Sequence, residues 1–385
     1  MIKKHPFYLN KTIYIKVMIL FFLFLPLSCK NDKKEDLKKD TSVEKNNIKT
    51  KRSIEAEDLI SKLYTISKKG FAIGHQDATS YGLNWKHEDS PEVIKSDIKE
   101  VSGKLPAVYG FDIGHIELNN THNLDSVSFT TMRQLMIDAY KKGGIITVSW
   151  HANNPTSSGD SWDKTPTVSD IIKGGKHHEK YQLWVKRVAD FLKSVEINNQ
   201  PIPVVFRPFH EMNGSWFWWG EGNCSVEDYK TLWIETVDLL RDTHQLNNLL
   251  YAYSPNKLNP TDDYMKYYPG DEYVDIFGID IYDFKDSKSF INSLQHDLAI
   301  VKEIAEQKQK PYAFTETGLE TLSTPNWFTE VLYPNLENTG ISWVLFWRNA
   351  RPDHHYMPYK GHPIVDDFKA FEALPKTLFL EDLTN

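Results

Sequence analysis

Eight short apolar runs recur along the chain from residue 71 onward, and longer segments with helical periodicity lie between them. The apolar runs span residues 71–74, 107–111, 145–150, 202–206, 249–253, 274–281, 312–315 and 341–347. The helical patterns include residues 131–142, 179–195, 226–243 and 290–307. Uninterrupted apolar runs are typical of strands that are buried on both faces, as in a parallel sheet. The alternation of strand and helix therefore predicts an α/β protein with right-handed crossover connections.

Eight such units over about 330 residues fit a single (β/α)8 barrel, the TIM-barrel fold. We expect this barrel to occupy residues 53–385, because no linker rich in proline, glycine or serine divides that region. A doubly wound open sheet is the alternative. Sheets of that kind that bind dinucleotides carry a glycine-rich phosphate loop after the first strand, whereas the chain has Gly74-His75-Gln76-Asp77 there.

Polar residues follow the apolar runs, at the positions where a barrel places its active site. In enzymes of this fold, catalytic side chains come from the C-terminal ends of the strands. The residues at these positions are His75-Gln76-Asp77, Asp112, residues 151–154, residues 207–211, residues 280–283, Glu316 and Arg348-Asn349. Ionisable groups would be costly to bury without partners. We therefore expect these side chains to converge on one rim and to form a polar cleft.

Two carboxyl groups on this predicted rim suit glycoside hydrolysis. Glu211 follows the fourth strand and Glu316 ends the seventh, and these strands lie roughly across the bore of an eight-stranded barrel. One carboxyl group can then act as acid and base, and the other as nucleophile or base. Pairing of each glutamate with a buried arginine, such as Glu211 with Arg207, is the structural alternative. The 11 tryptophans and 19 tyrosines favour catalysis, because a cleft rich in aromatic rings can stack against sugars.

Charge and motif content argue against several other functions. Residues 1–52 hold 13 of the 45 Lys and Arg but 5 of the 52 Asp and Glu, which leaves residues 53–385 with a net charge of −15. Nucleic-acid binding needs a basic face, so we expect no nucleic-acid partner. The segment His210-Glu211-Met212-Asn213-Gly214 begins like a zinc-protease helix but lacks the second histidine, and no Gly-x-Ser-x-Gly elbow is present. We expect no catalytic metal and no cofactor, and we expect a monomer.

The N-terminal segment predicts export. Lysines at positions 3, 4, 11 and 16 precede the apolar run 17–27, which is shorter than the roughly 20 residues of a membrane-spanning helix. A basic segment followed by a short apolar run is the secretory pattern. The sequence Leu25-Pro26-Leu27-Ser28-Cys29 resembles a bacterial lipoprotein cleavage box, which implies a signal peptide over residues 1–28 and a lipid on Cys29. An ordinary signal peptide with a chance cysteine is the alternative.

Residues 29–52 are highly charged and contain almost no aliphatic side chains. Such a segment cannot bury enough apolar surface to order itself, so we predict a disordered tether. Anchor and tether together predict a lipoprotein in the outer membrane of a Gram-negative bacterium, at the cell surface or on the periplasmic face. Cys224 is predicted to be a packing residue, because nothing near it in the sequence would lower the pKa of a thiol.

Several segments of the predicted rim together resemble glycoside hydrolase family 26, the β-mannanase family. The segments are Gly74-His75-Gln76, residues 148–151 (VSWH), 207–214 (RPFHEMNG), 216–219 (WFWW), 278–282 (GIDIY), Thr315-Glu316 and residues 346–348 (FWR). The His-Glu-Met-Asn-Gly segment with its tryptophans is the most diagnostic. The resemblance implies a retaining endo-β-1,4-mannanase with Glu211 as acid/base and Glu316 as nucleophile.

The same resemblance implies roles for other rim residues, with a core or solvated position as the alternative for each. His210 would contact the sugar at the cleaved position or orient Glu211. Trp216 would stack on the leaving-group side, and Tyr282 would hydrogen-bond Glu316. Trp162, Trp347, Arg348 and His362 would line the glycone side, and Glu117, His151 and Arg207 complete the predicted substrate-binding set.

The resemblance leaves the substrate open among three polysaccharide classes. The family also contains β-1,3-xylanases and mixed-linkage β-glucanases, which differ from mannanases in their subsite loops rather than in their catalytic residues. Exo action is a further alternative, because it depends on whether loops close the cleft. A glycan-binding lipoprotein without activity would require the loss of one catalytic glutamate, and both Glu211 and Glu316 are present.

Overall fold

The computed structural model describes residues 52–260 and 262–383. Cys29, the predicted signal peptide and nearly all of the predicted tether lie outside these residues. Eight parallel strands form a closed barrel, because the last strand pairs with the first through Ala72 and Trp343. The strands are β1 (Phe71–Gln76), β2 (Val108–Asp112), β3 (Ile145–Trp150), β4 (Val204–Pro208), β5 (Leu249–Tyr253), β6 (Ile276–Asp283), β7 (Tyr312–Leu319) and β8 (Trp343–Phe346). The predicted (β/α)8 barrel is confirmed.

Helices flank the barrel, and several begin at a serine that caps the first turn. The helices are α1 (Ile54–Lys69), α2 (Asp97–Ser102), α3 (Phe129–Lys141), α4 (Val168–Ile171), α5 (His178–Ser194), α6 (Val226–Asp238), α7 (Ser287–Lys308), α8 (Tyr333–Leu336) and α9 (Val365–Glu372). The hydroxyl oxygens of Ser53, Ser128 and Ser225 accept backbone N–H groups of α1, α3 and α6. A cap of this kind satisfies a donor that the helix itself leaves unpaired.

Five of the eight barrel strands, β1, β2, β4, β6 and β7, extend further at their C-terminal ends than the apolar runs predict. β1 continues through His75 and Gln76, and β7 continues to Leu319, so that Glu316 lies inside β7 rather than at its end. The register between β6 and β7 shifts beside this residue, because Ile279 pairs with Phe314 but Asp280 pairs with Glu316. Bulges of this type are common next to active sites, where they re-aim a side chain.

The N-terminal end of the barrel is closed by α1. Ala56, Leu59, Leu63 and Ile66 are buried on one face of this helix and pack against apolar residues from the beginnings of the strands. A short ninth strand, Thr377–Leu378, pairs with the start of β1. Two small antiparallel pairs complete the strands: Tyr81–Gly82 with Trp85–Lys86, and Glu196–Ile197 with Gln200–Pro201. No helix within the described residues has an apolar stretch long enough to cross a bilayer.

Candidate active site

The backbone after β4 is strained where it presents Glu211. Phe209 and Glu211 have φ angles of 48° and 55°, in the left-handed region that residues with a Cβ rarely occupy. The N–H group of Glu211 donates to the carbonyl oxygen of Ser254 at 2.8 Å, and the Tyr229 hydroxyl donates to the carbonyl oxygen of Phe209 at 2.9 Å. Such strain persists only where surrounding contacts enforce it, and it clusters at functional sites.

The Trp216 indole folds back over this turn and contacts Glu211. Its Nε1 donates to Glu211 Oε2 at 2.8 Å. The approach requires a glycine at position 214, because a Cβ there would lie 2.1 Å from the indole ring. Gly214 thus stands where a zinc-protease helix would need histidine, and it makes room for the tryptophan.

Glu316 projects from β7 and is held by two donors. The Tyr282 hydroxyl, from β6, donates to Glu316 Oε1 at 2.7 Å. The Arg207 guanidinium, from β4, donates to Glu316 Oε2 and forms an ion pair with it. Hydrogen bonds to both oxygens fix the orientation of this carboxyl group.

Arg207 links Glu316 to a second buried carboxylate. Its guanidinium donates to Asp280 Oδ2 at 2.6 Å, and Asp280 also accepts from Thr315 Oγ1 at 2.7 Å. Burial opposes the charge of Arg207, but Asp280 and Glu316 outweigh that effect and raise its pKa. The structural alternative for Glu211, a pairing with Arg207, is therefore not what the fold uses. Arg207 has carboxylate partners and positions Glu316, and its predicted contact with substrate stays a prediction.

Glu211 lies in surroundings that disfavour its ionised form. Burial raises the pKa of Glu211 well above its usual value, and the charges of Glu316 and Asp280 raise it further. The two glutamates therefore differ in the way that an acid and a nucleophile require: the pKa of Glu211 is raised, whereas Glu316 accepts hydrogen bonds from a guanidinium and a hydroxyl.

His151 follows β3 and is paired with a buried aspartate. Its Nδ1 lies 2.6 Å from Asp112 Oδ2, and the other oxygen of Asp112 accepts the N–H group of Gly114 at 2.8 Å. Burial disfavours the charged imidazolium, but the Asp112 carboxylate outweighs burial and raises the pKa of His151.

His210 stands beside this pair with both of its ring nitrogens free of partners among the described residues. Its ring lies edge-on to His151, with centroids 4.6 Å apart. Burial lowers the pKa of His210 well below its usual value, and the charges of Arg207 and His151 lower it further. A neutral imidazole offers one donor and one acceptor, which suits a sugar hydroxyl.

Aromatic rings surround the histidines. Trp162, which is 50% exposed, stacks on His151 with centroids 5.5 Å apart and planes inclined by 15°. The half-buried Trp347 lies 6.0 Å from His151, and Phe217 lies 5.4 Å from both His151 and His210. These rings form apolar walls of the kind that stack against a sugar.

Arg348 lies further along the rim, at the end of β8. It forms an ion pair with Asp125 and donates to the Tyr81 hydroxyl oxygen at 3.3 Å. It lines a cavity of about 580 Å³ together with Asp125 and Trp85. This position fits its predicted place at the edge of the cleft.

Two predicted residues lie apart from this cluster. Glu117 is fully buried, and its oxygens accept from Trp150 Nε1 at 3.0 Å and from the Asn153 N–H group at 2.8 Å. It therefore braces the chain after β3 from inside the protein. His362 packs against His355 and Tyr359 in a separate aromatic cluster. Contacts of Glu117 and His362 with sugar stay predictions.

Asp112 and Asp280 were predicted to lie on the rim but were given no role, and Phe217 was named only within the segment 216–219; the structure places all three in the site. Each aspartate lies in the C-terminal half of its strand, as Glu316 does. Their partners come from other strands, and for this reason sequence alone did not distinguish them. Within residues 52–260 and 262–383, no group of three His, Cys, Asp or Glu side chains is placed to hold a metal ion.

Comparison with known proteins identifies the family. The family model for glycosyl hydrolase family 26 matches residues 48–315. The chain belongs to this family. The matched range ends directly before Glu316, but structural similarity to family 26 enzymes extends over 86% of the chain.

Relatives of this family 26 chain include mannan-degrading enzymes. It is 44% identical to a family 26 β-mannanase from Bacteroides ovatus, with a TM-score of 0.82 and coverage of 86% of this chain and 96% of that one. The catalytic domain of an endo-β-1,4-mannanase from a Bacillus species is 31% identical, with a TM-score of 0.79 over 86% of this chain and 93% of that one. A mannan endo-1,4-β-mannosidase from Bifidobacterium adolescentis is 33% identical over 84% of this chain, which spans only 34% of that enzyme's length.

Proposed function

We propose that this protein is a retaining endo-β-1,4-mannanase that hydrolyses mannan-type polysaccharides by double displacement. The observation that carries the proposal is the contrast between Glu211, whose pKa is raised well above its usual value, and Glu316, which is held by Arg207 and Tyr282. The similarity over nearly the full length of a β-mannanase supports mannan as the substrate.

In the first step, the Glu316 carboxylate attacks the anomeric carbon while Glu211 donates its proton to the glycosidic oxygen. The glycosidic bond breaks, the aglycone leaves with the proton, and an ester joins the sugar to Glu316. Formation of this ester removes the negative charge that raises the pKa of Glu211, so the Glu211 carboxylate can then act as a base. It takes a proton from water, which attacks the anomeric carbon and releases Glu316 with net retention of configuration.

The other rim residues bind and orient the polysaccharide in this proposal. Trp162, Trp347, Arg348 and His362 line the glycone side, and His210 offers its neutral imidazole to the sugar at the cleaved position. Trp216 stacks on the leaving-group side while it donates to Glu211. Asp280 supports the site from within the barrel by holding Arg207 against Glu316.

The test is a panel of purified β-mannan, glucomannan, galactomannan, lichenan and β-1,3-xylan, with the products sized over time. We expect cleavage of the mannans into a range of oligosaccharides from the earliest time points. Preference for lichenan or for xylan would assign one of the other family activities, and a single short product from the start would show exo action. The control is the double variant Glu211→Gln/Glu316→Gln. If the wild type binds a polysaccharide but hydrolyses it no faster than this control, the protein is a glycan-binding protein.

We also propose that the enzyme is a monomeric lipoprotein in the outer membrane of a Gram-negative bacterium. The basic segment and short apolar run that end at Ser28-Cys29, followed by the charged segment 29–52, support this location. A lipid anchor holds a protein by burial of its acyl chains, so the attachment does not depend on charge. The barrel would then degrade polysaccharide while it remains attached to the cell.

A further inference from the structure

Phe284 is an aromatic residue at the end of β6 whose side chain lies almost entirely in water. It is 87% exposed, whereas Trp162, the other large aromatic residue exposed in the described part of the chain, is 50% exposed and rests on His151. An aromatic ring left in water forgoes the free energy of burial. Because Phe284 follows β6 on the catalytic rim, contact with a ligand would explain this exposure.

The turn that carries Phe284 is held rigidly. The carboxylate of Asp283, which is itself buried, accepts hydrogen bonds from the Asp286 N–H group at 3.0 Å, from Ser287 Oγ at 2.7 Å and from Trp327 Nε1 at 3.0 Å. These contacts fix the backbone on both sides of Phe284 while its ring remains outside. The backbone that carries the ring is therefore held in a defined place, which lowers the entropic cost of contact with a ligand.

Phe284 lies close to the nucleophile. Its ring centroid is 6.3 Å from that of Tyr282, and the Tyr282 hydroxyl donates to Glu316 at 2.7 Å. One tyrosine ring and one hydrogen bond thus separate Phe284 from the reacting carboxylate. This span is comparable to the length of a short saccharide.

The barrel topology places Phe284 on the side of the leaving group. A line from β4 to β7, which carry Glu211 and Glu316, divides the rim into one arc with β5 and β6 and another with β8, β1, β2 and β3. The second arc holds the buried pair of His151 with Asp112 and the half-buried ion pair of Arg348 with Asp125. The glycone must stay bound after the first step, so the arc with these polar groups suits it. The departing sugars then lie over β5 and β6, where Phe284 projects.

We propose that Phe284 is a stacking platform for the aglycone, forming a saccharide subsite further from the cleavage point than Trp216. This inference rests on the proposed function. A pyranose presents a face of C–H groups, which matches the electron-rich face of a phenyl ring. The subsite binds leaving sugars in the first step and saccharide acceptors in the second.

Transfer of the sugar from Glu316 to an added saccharide measures binding at this subsite alone. The donor sugar is then already bound on the glycone side, so only the acceptor must bind over Phe284. The probe is an aryl β-mannobioside with a good leaving group, and mannobiose is the acceptor. In transfer, an acceptor hydroxyl gives its proton to Glu211 and attacks the anomeric carbon, and the ester to Glu316 breaks. We expect Phe284→Ala to raise the acceptor concentration for half-maximal transfer about tenfold, which corresponds to about 1.4 kcal/mol, and Phe284→Trp to keep the wild-type value.

Hydrolysis of β-1,4-mannohexaose provides the second measurement. We expect kcat/KM of Phe284→Ala to fall about tenfold on mannohexaose, while kcat/KM on the aryl glycoside stays at the wild-type value because its small leaving group does not reach the platform. The matched control is Leu183→Ala, which removes an exposed side chain (47% exposed) from α5. This variant should leave kcat/KM on both substrates at the wild-type value.

The outcomes separate the two proposals. Equal losses on both substrates would assign Phe284 a structural role, and no loss on either would remove it from the substrate path; each result overturns the inference and leaves the mannanase proposal intact. A wild-type enzyme that does not cleave mannohexaose would instead overturn the proposed function.

Discussion

Glu211 and Glu316 carry the same carboxyl group in opposite surroundings. Glu211 lies on a strained turn with one indole donor, and burial favours its neutral form. Glu316 lies within a strand and receives a guanidinium and a hydroxyl. Their chemistry is therefore set by neighbours from other strands, and exchanging or deleting the two side chains should have unequal effects.

Deletion of each glutamate should differ in its response to azide. In Glu211→Ala, an activated aryl β-mannoside needs little protonation, so the ester to Glu316 still forms and azide can attack it without a base. We expect azide to raise the turnover of Glu211→Ala and to give a β-azide product. Glu316→Ala forms no ester and should give no β-azide.

Rates with and without azide, together with the anomeric configuration of the product by NMR, provide the measurement for both variants. Rescue of neither variant would contradict the assigned roles. So would a β-azide product from Glu316→Ala while Glu211→Ala stays inactive.

The Trp216 hydrogen bond should tune the pH dependence of the first step. Its N–H group favours the ionised form of Glu211 and so lowers a pKa that burial raises. Trp216→Phe removes this donor, and the pKa of Glu211 should rise further. Because the first step needs protonated Glu211, activity falls as pH rises through that pKa, and the alkaline limb of kcat/KM should move to higher pH in the variant.

A pH profile of kcat/KM on mannohexaose tests this sign, with Trp347→Phe as the control. Trp347 is a rim tryptophan of the other arc, and its ring lies against His151. The control should weaken substrate binding and leave the alkaline limb in place. An unmoved limb in Trp216→Phe, or a move to lower pH, would refute the role of this hydrogen bond.

At the scale of elements, three strands are joined at the site by one buried cation. Arg207 of β4 pairs with Asp280 of β6 and Glu316 of β7, and Arg207 is 2% exposed. Removing one partner of a buried ion pair leaves an uncompensated charge, which is far more costly than replacing the whole pair. Deletion of the cation alone should therefore lower the free energy of unfolding.

We expect Arg207→Met to lower the free energy of unfolding by about 3–5 kcal/mol, because two buried carboxylates lose their partner. Asp280→Asn should cost less, since Arg207 keeps Glu316 and the amide oxygen can still accept from Thr315. Urea denaturation measures the free energy of unfolding of both variants, provided that its dependence on urea concentration has the same slope as in the wild type. The loss in Arg207→Met should shrink at acidic pH, where protonation neutralises the carboxylates, and a pH-independent loss would contradict this explanation.

The whole molecule combines an acidic barrel with a basic N-terminal segment. Residues 53–385 carry a net charge of −15, which would repel the barrel from an anionic membrane surface. The proposed attachment to the membrane would therefore depend on the lipid that the sequence predicts on Cys29 and not on the charge of the barrel.

Metabolic labelling with a fatty acid should mark the wild-type protein and not Cys29→Ala. The wild-type protein should stay in the membrane fraction through a high-salt wash, since burial of acyl chains is not screened by ions. Cys224→Ala is the matched control, because Cys224 lies in the barrel, donates to the Trp219 carbonyl oxygen and should leave labelling unchanged. Equal labelling of the wild type and Cys29→Ala would exclude the anchor.

The sequence by itself determined the barrel and the family and singled out the two glutamates as candidates, because each of these depends on a local pattern. Apolar runs separated by helical segments predict parallel strands with crossovers, and the polar residues after those runs must meet at one rim. Segments such as RPFHEMNG are contiguous, so their resemblance to family 26 can be read without knowing the fold. The predicted strand ends were less accurate, because polar residues such as Glu316 continue β7 by pairing with neighbouring strands of the barrel.

Only the tertiary structure decided which side chains act on one another. Arg207 and Asp280 are 73 positions apart, and Tyr282 and Glu316 are 34 apart, so no local pattern could pair them. The same holds for Glu117, whose partners Trp150 and Asn153 place it inside the protein. Ion pairs, pKa values and exposure arise from distances between strands, and closure of the barrel alone fixes those distances.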